Sequence, residues 1–328
     1  MLKLLDYISL KEFIVPNNKN TLILSIFILL STFAVAEEGG AGHYMPGSMS
    51  SFVDGLPTQS SFITRFNYLN YRASSDITLP KNSGGLLAKP SATVNALGLT
   101  VLYAPDLNLG DKWQFAMSST LSILNVELSG DLNFNGTSFG YREGDRTALG
   151  DLVIMPLMIN YNVNKDLNIN ARLGFYAPTG SYKYGRYINT GKNYWTVEPT
   201  IGIVYFGQKN GREASLYFGA DFNEENDATH YKSGTQIHLD GTLAQHFPWL
   251  GGISGVGVSG YWYKQVSDDS GESATLGAFR AEAVGIGPVV SWIDKKGKYI
   301  FEMKYIKDIK NEKRLDGDTL WLKYIVKF

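Results

Sequence analysis

Long stretches of this chain alternate apolar and polar residues with a period of two, which is the period at which side chains alternate across a β-strand. In 167–177, Leu167, Ile169 and Leu173 fall on one face and Asn168, Asn170 and Arg172 on the other. Each such segment runs for about 10 to 14 residues, which exceeds the usual globular strand and suits a tilted crossing of a bilayer. The pattern favours membrane-spanning strands.

Twelve candidate strands can be counted, and the connections between them alternate between short turns and long polar loops. The segments are 62–72, 91–104, 113–126, 151–163, 166–177, 194–207, 213–223, 235–247, 252–266, 278–293, 298–307 and 318–328. Outer-membrane barrels have short turns at one edge and longer loops at the other. Since lipid offers no partners for backbone N–H and C=O groups, such a sheet must close on itself. We therefore predict an all-β fold, a transmembrane antiparallel up-and-down β-barrel of about twelve strands, with ten or fourteen left open.

The N-terminal 36 residues resemble an export signal. Three lysines precede an apolar run at 22–30, and Ala34-Val35-Ala36 fits a small-x-small cleavage site. A membrane anchor is the alternative, although about fifteen apolar residues are few for a span of about twenty. We expect a signal peptide at 1–36, an N-terminal segment at 37–60 and the barrel at 61–328, in the bacterial outer membrane. The segment 37–60 either plugs the lumen or extends into the periplasm.

Composition excludes several classes of function. The chain has 30 Lys plus Arg against 31 Asp plus Glu, so it lacks the basic surplus that nucleic-acid binding requires. It has no Cys, which excludes thiolate catalysis and Cys-ligated metals. The four His show no metal-ligand spacing in sequence. We expect no catalytic residue, no metal and no cofactor.

The C-terminal residues alternate strictly. Leu322, Tyr324, Val326 and the final Phe328 share a face. This pattern looks like the assembly signal that outer-membrane barrels present to the barrel assembly machinery. The other expected partners are the lipid bilayer, lipopolysaccharide and a small-molecule solute; the oligomeric state stays open.

If the apolar faces contact lipid, the opposite faces line the lumen. The predicted lining, and solute path, consists of Arg172, Glu198, Asp221, His238, Asp240, Lys264, Arg280 and Glu282. Mixed charges at this position either select solutes by size and sign or form a neutralised network that only fills the barrel. Tyr and Trp near strand ends, at 194–195, 261–263 and 321, are expected to form interfacial girdles. The polar loop 129–150 is a candidate gate that folds inward.

Two other functions compete with transport. His238 and Asp240 share a strand face and could serve as the base of a barrel hydrolase acting on lipid or peptide. No distinctive nucleophile motif accompanies them, so a structural histidine is favoured. The third possibility is a structural or adhesive barrel with a sealed lumen.

The stretch 147–292 resembles a bacterial family named for the "MetA-pathway of phenol degradation". The resemblance rests on Gly150-Asp151, Tyr176-Ala177-Pro178-Thr179-Gly180, Asn193-Tyr194-Trp195, Glu198-Pro199 and the loop 222–234. It implies an outer-membrane barrel for the uptake of aromatic or other hydrophobic compounds. The predicted function is thus an outer-membrane channel for passive uptake of small, aromatic or hydrophobic solutes.

Overall fold

The computed structural model describes residues 38–76, 78–81, 86–134, 137–274 and 280–328, so the predicted signal peptide lies outside the described part. Two short 3₁₀ helices come first, η1 (Glu38–Gly40) and η2 (Phe52–Asp54). The strands are β1 (Ser61–Ser74), β2 (Thr78–Pro80), β3 (Leu86–Ala104), β4 (Trp113–Phe134), β5 (Thr137–Leu149), β6 (Leu152–Asn162), β7 (Leu167–Ala177), β8 (Thr196–Phe206), β9 (Arg212–Asn223), β10 (Gln236–Trp249), β11 (Gly252–Gln265), β12 (Glu282–Asp294), β13 (Tyr299–Glu312) and β14 (Asp316–Lys327). The part of the chain that the structure describes contains no helix with the length and hydropathy of a membrane span.

The sheet closes into an antiparallel barrel of twelve strands. β1 pairs with β14 on one side and with β3 on the other, and β3 pairs with β4. The ladder then runs from β4 to β6 and on, strand by strand, to β14. Within the described residues, each of the twelve strands of the closed ring pairs with a strand on both sides, as a sheet in lipid requires. The predicted fold class is confirmed, and each of the twelve predicted segments corresponds to a barrel strand.

The two remaining strands extend the barrel on its long-loop side. β5 pairs along its length with the C-terminal half of β4, from Ile123↔Leu149 to Phe134↔Thr137. Most of its side chains are exposed. The prediction that 129–150 folds inward as a gate is therefore wrong. These residues satisfy their backbone hydrogen bonds as a hairpin projecting beyond the barrel wall, and so have no reason to enter the lumen.

The alternation in sequence matches the two faces of the wall. On β7, Ile169 is 39% exposed, whereas its neighbour Asn170 is 1% exposed. Large apolar side chains such as Leu97 and Ile201 point outward on the other strands, and buried polar side chains point inward. An apolar exterior around a polar interior is the arrangement of a barrel that spans a membrane.

The register shifts at several places in the sheet, and one of these shifts lies at a proline. Pro156 on β6 pairs with neither neighbouring strand, because the register shifts between Ala116 and Ser118 and between Ile154 and Leu157. Proline has no N–H to donate, so a bulge is the position at which a sheet tolerates it.

Candidate functional site: the barrel lumen

The N-terminal segment Glu38–Leu56, here called the plug segment, lies inside the barrel. The Tyr44 hydroxyl donates to both carboxylate oxygens of Asp240, at 2.8 and 2.9 Å. The Phe52 N–H donates to Glu213 at 2.7 Å. Trp321 Nε1 donates to a plug carbonyl, that of Pro46, at 2.8 Å. The sequence left two positions open for this segment, inside the lumen or in the periplasm. The structure shows it inside the lumen.

Charged wall residues surround the C-terminal end of the plug segment. The Asp54 carboxylate lies 2.6 Å from Lys323 Nζ and 3.0 Å from Arg65 Nη1. Glu302 lies 3.0 Å from Lys304 and accepts a short hydrogen bond from the Ser51 hydroxyl. We call Asp54, Arg65, Glu302, Lys304 and Lys323 the Asp54 cluster.

The Asp54 cluster also binds the plug backbone. Lys304 donates to the Gly47 carbonyl at 2.9 Å, and Lys323 donates to the Ser48 carbonyl at 2.8 Å. Burial alone would raise the pKa of Asp54, but Lys323, Lys304 and Arg65 outweigh it and hold that pKa well below its usual range. Asp54 therefore stays ionised and anchors the plug segment to three strands.

The opposite end of the plug segment contacts the long loops. The buried Asp151 carboxylate accepts from the backbone N–H groups of Gly180 and Lys192, at 2.8 and 2.7 Å, and lies 3.1 Å from His43 Nε2. Gly180 and Gly191 pack so closely that a Cβ on either would lie 2.7 Å from the other's backbone. Burial raises the pKa of Glu38 to about 7, despite hydrogen bonds from Thr229 and Asn226. Asp151, Gly180 and the backbone at 191–192 thus hold the long loops to the plug segment.

Five of the eight predicted lumen residues face the interior. Arg172, Glu198, Asp221, His238 and Asp240 are all buried. His238 Nδ1 lies 3.0 Å from Asp240 Oδ2, as the hydrolase hypothesis requires. The Asp240 carboxylate, however, is bound by Tyr44, whose ring stacks on the imidazole with centroids 3.9 Å apart. The plug segment therefore occupies the space that a substrate would need.

The other three predicted lumen residues face outward or lie in a loop, so their placement was wrong. Lys264 and Glu282 pair across neighbouring strands at 3.4 Å, and Lys310 joins Glu282 at 3.1 Å. Arg280 precedes β12 and pairs with Asp268 at 2.8 Å in the β11–β12 loop. All of them lie at the long-loop end, where outward side chains meet water rather than lipid, so charge there does not mark the lumen.

The aromatic girdle was predicted at several of the wrong positions. Tyr261 and Tyr263 point inward and form a buried cluster with Tyr44, Ala281, Ala283 and Ile306. Tyr194 and Trp321 are also buried, whereas Trp195 is exposed as expected. Part of the lumen is apolar because the plug segment supplies aromatic and aliphatic side chains that need apolar partners. Because apolar residues line the lumen here, the prediction that apolar faces contact lipid assigned the two faces of β11 and β12 the wrong way round.

An apolar cavity of 390 Å³ occupies the half of the lumen formed by β1, β3, β4, β6 and β7. Its apolar lining includes Leu69, Val94, Leu124, Val126, Leu128 and Met155. On β3 the lining extends from Leu87 to Leu102, about 50 Å along the strand at about 3.3 Å per residue. Because the plug segment fills the other half, the cavity runs beside it for most of the barrel height. A second cavity, of 320 Å³, lies at the β3–β4 turn.

Several of these residues were missed in the sequence. Tyr44 and Asp54 lie in a Gly/Ser/Met-rich stretch with little periodicity, and their partners are distant in the chain. The isolated acid at 54 was the available signal, because inward lysines such as Lys304 and Lys323 require a counter-charge. The apolar cavity had no signal, since its lining strands alternate poorly.

Comparison with known structures finds several β-barrels with a similar fold. The COG4313 outer membrane channel from Pseudomonas putida F1 is similar with a TM-score of 0.63 and 18% identity, covering 87% of this chain and 100% of that one. The β domain of the Bordetella autotransporter BrkA gives 0.46 and 12%, covering 82% and 99%. The CymD monoaromatic hydrocarbon channel gives 0.45 and 7%, covering 90% and 98%. A comparison with curated proteins finds no match.

The family comparison agrees with the motifs in the sequence. The model of the family described as "Putative MetA-pathway of phenol degradation" matches residues 76–324. This range includes ten complete strands of the barrel and most of the long loops. The chain therefore belongs to this family.

Proposed function

We propose that this protein is an outer-membrane channel for the passive uptake of small hydrophobic solutes, including aromatic ones, and that the apolar cavity is the solute path. The observation that carries the proposal is the cavity itself, which extends beside the plug segment from Leu87 to Leu102. The similar Pseudomonas putida structure is described as an outer membrane channel, which supports the same class of function.

The lining of the cavity favours an apolar solute. Its volume of 390 Å³ falls within the range of small-molecule pockets, about 300 to 1,000 Å³. A sugar or an amino acid would lose hydrogen bonds to water in such a path and find few replacements. One wall also carries the polar residues Asn67 and Thr100, whose side chains are hydrogen-bonded to each other and can meet a single hydroxyl of the solute.

Under this proposal, the solute does not follow the charged path that the sequence predicted. Of the eight predicted residues, only Arg172 lines the cavity. Its guanidinium donates to Asn170 and to the Asp54 carbonyl, so it holds the plug segment at the cavity wall. We therefore assign the remaining inward charges to the plug network rather than to solute selection.

We propose the bacterial outer membrane as the location of this protein. Residues 1–36 act as a cleaved signal peptide, and the barrel 61–328 is inserted by the barrel assembly machinery into a lipopolysaccharide-containing membrane. Leu322, Tyr324 and Val326 lie on the outward face of β14, and Phe328 follows the strand, 68% exposed. The last strand is thus accessible as an assembly signal.

The test is solute flux in proteoliposomes whose outer leaflet is lipopolysaccharide. We expect vesicles with the protein to take up radiolabelled toluene faster than empty vesicles, and glucose no faster. Ala96→Trp places an indole in the cavity and should reduce toluene uptake at least tenfold. Leu97→Trp is the matched control, because this neighbour points outward and is 64% exposed.

Two outcomes would contradict the proposal. Toluene uptake no faster than in empty vesicles would favour a sealed barrel. Equal uptake by the Ala96→Trp and Leu97→Trp variants, both inserted as folded barrels, would show that the solute does not use the cavity.

A further inference from the structure

Three side chains on adjacent strands meet at the polar wall of the lumen. Glu198 on β8, Asp221 on β9 and His238 on β10 are each 1% exposed or less. One ligand atom from each lies within 4.8 Å of the other two. The strand register creates this proximity, because Asp221 is directly opposite Gln236, two residues before His238 on the same face.

We propose that Glu198, Asp221 and His238 bind one divalent transition-metal ion, of which zinc is the representative. Two carboxylates and one imidazole are a donor set that zinc accepts, with bonds of about 2.0 to 2.2 Å. Ligand atoms of a tetrahedral zinc ion lie about 3.4 Å apart, so closing the site needs shifts of up to about 1.4 Å between atoms that lie within 4.8 Å of one another. The site is separate from the apolar cavity and does not depend on the transport proposal.

The surroundings of His238 prepare it to be a ligand. Its Nδ1 is 3.0 Å from Asp240 Oδ2, which leaves Nε2 to carry the lone pair. A carboxylate behind a histidine is the usual outer partner of a zinc-bound imidazole, because it fixes the tautomer and the ring orientation. Asp240 is itself fixed by the Tyr44 hydroxyl and by the Gly47 N–H at 2.8 Å.

Glu198 is oriented in a similar way. The Tyr176 hydroxyl donates to Glu198 Oε2 at 2.5 Å, and the Thr200 hydroxyl donates to Oε1 at 3.1 Å. Each oxygen keeps a further lone pair for an ion. Glu198 and His238 therefore both have outer partners before any metal binds.

Two buried polar groups at this wall indicate a ligand. His238 Nε2 lies 3.4 Å from Glu198 Oε1 but, among the described residues, has no hydrogen-bond partner. Gln236, fully buried on the same face, likewise has neither amide atom bonded within the described part of the chain. Buried polar atoms are nearly always satisfied, so a group such as a metal ion with bound water is expected there.

Glycine at position 219 makes the geometry possible. A Cβ there would lie 2.3 Å from His238 Nε2, so the imidazole lies across the backbone of β9. This position brings a histidine on β10 within reach of a glutamate on β8. A side chain at 219 would close the space in which the three ligands meet.

Metal binding would also account for the excess of carboxylates at this site. Three carboxylates, those of Glu198, Asp221 and Asp240, surround a single imidazole in a buried site. Buried charges require compensation, and a dication beside a neutral imidazole supplies one more positive charge than an imidazolium. Because Tyr44 stacks on the ring and bonds Asp240, the ion would reinforce the docking of the plug segment.

The test measures zinc in the full-length mature barrel, folded into detergent with ZnCl₂ and then dialysed. We expect one zinc ion per wild-type chain, and loss of at least nine-tenths of it in Asp221→Asn and His238→Gln. His246→Gln is the matched control, since His246 is also buried beside a single carboxylate, Glu213 at 2.8 Å, and should leave the zinc content unchanged. The outer-partner variant Asp240→Asn should weaken zinc binding about 10- to 100-fold.

Cobalt titration of the wild-type protein gives a readout that does not depend on variants. Co²⁺ bound by one imidazole and two carboxylates gives visible absorption bands that saturate at one equivalent and are displaced by zinc. Absence of both zinc and cobalt binding would overturn the proposal and leave a protonated His238 among carboxylates. Zinc retained in Asp221→Asn and His238→Gln, or lost equally in His246→Gln, would also overturn it.

Discussion

Replacing Asp54 by asparagine should release the plug segment from the barrel wall. The substitution preserves shape but removes the charge that lies 2.6 Å from Lys323 and 3.0 Å from Arg65. Lys304 and Lys323 would then keep Glu302 as a counter-charge, at 3.0 and 3.6 Å, whereas Arg65 would lose the carboxylate of Asp54. Removing one partner of a buried ion pair costs about 3 to 5 kcal/mol. Taking the lower figure, because asparagine keeps one acceptor oxygen, the undocked fraction should rise about a hundredfold.

Cysteine labelling can measure this release, because the chain has no native cysteine. Val53→Cys places a thiol on the plug segment at a buried position, 5% exposed, whose backbone carbonyl, rather than its side chain, binds Arg65. We expect a maleimide to react about a hundred times faster in the Asp54→Asn background. Asp131→Asn, on the exposed outer hairpin, is the charge-matched control and should leave the rate unchanged.

Equal labelling rates in the Asp54→Asn and Asp131→Asn backgrounds would refute the assignment of Asp54 as the anchor. The dependence on pH gives a further check. Because the pKa of Asp54 is held below its usual range, its contribution is present above about pH 4 and is lost only as the pH falls through the lower docked value. In the cysteine variant that retains Asp54, the labelling rate, corrected for thiol ionisation, should therefore not increase on acidification to about pH 4.

The remaining predictions concern the plug tip, the wall and the last strand. Because burial raises the pKa of Glu38 from 4.5 to about 7, docking of the tip should weaken by up to about 3 kcal/mol as the pH rises through that window, and Glu38→Gln should abolish the effect, as read from a fluorophore at Ala41→Cys. Gly219→Ala should cost about 1 to 3 kcal/mol by displacing His238, whereas Gly98→Ala, with 3.7 Å of room, should not; unfolding temperatures in detergent that fall equally would contradict this. Deleting Phe328 should lower the yield of assembled barrel in the outer membrane, and a normal yield would argue against the assembly signal.

Alternation was sufficient to predict the strands because successive residues of a barrel strand face lipid and the lumen in turn. A residue such as Ile201, 56% exposed, must be apolar if it contacts lipid, and its neighbours Thr200 and Gly202 are then inward. The parity predicted the faces of strands whose lumenal side is polar, such as β7. It failed on β11 for two reasons: Tyr261 and Tyr263 line an apolar part of the lumen, and Lys264 is outward at the long-loop end, where water imposes no apolar requirement. Glu282 on β12 failed for the second reason as well.

The plug and the sites that it creates could not be derived from local patterns. Asp54 and Lys323 are 269 residues apart, and Tyr44 and Asp240 are 196 apart. Neither pair has a spacing that a strand period could reveal. Likewise, Glu198, Asp221 and His238 lie on three strands, so only the barrel register shows that they meet.

The sequence by itself determined that this chain forms a closed barrel of about twelve strands, because residue alternation and turn length respond to lipid and water along the chain. The tertiary structure decided what fills that barrel. A cylinder of this size can hold water, side chains or a segment of its own chain, and the outcome depends on contacts between residues far apart in sequence. Here the plug segment takes the charged half of the lumen and leaves an apolar cavity in the other.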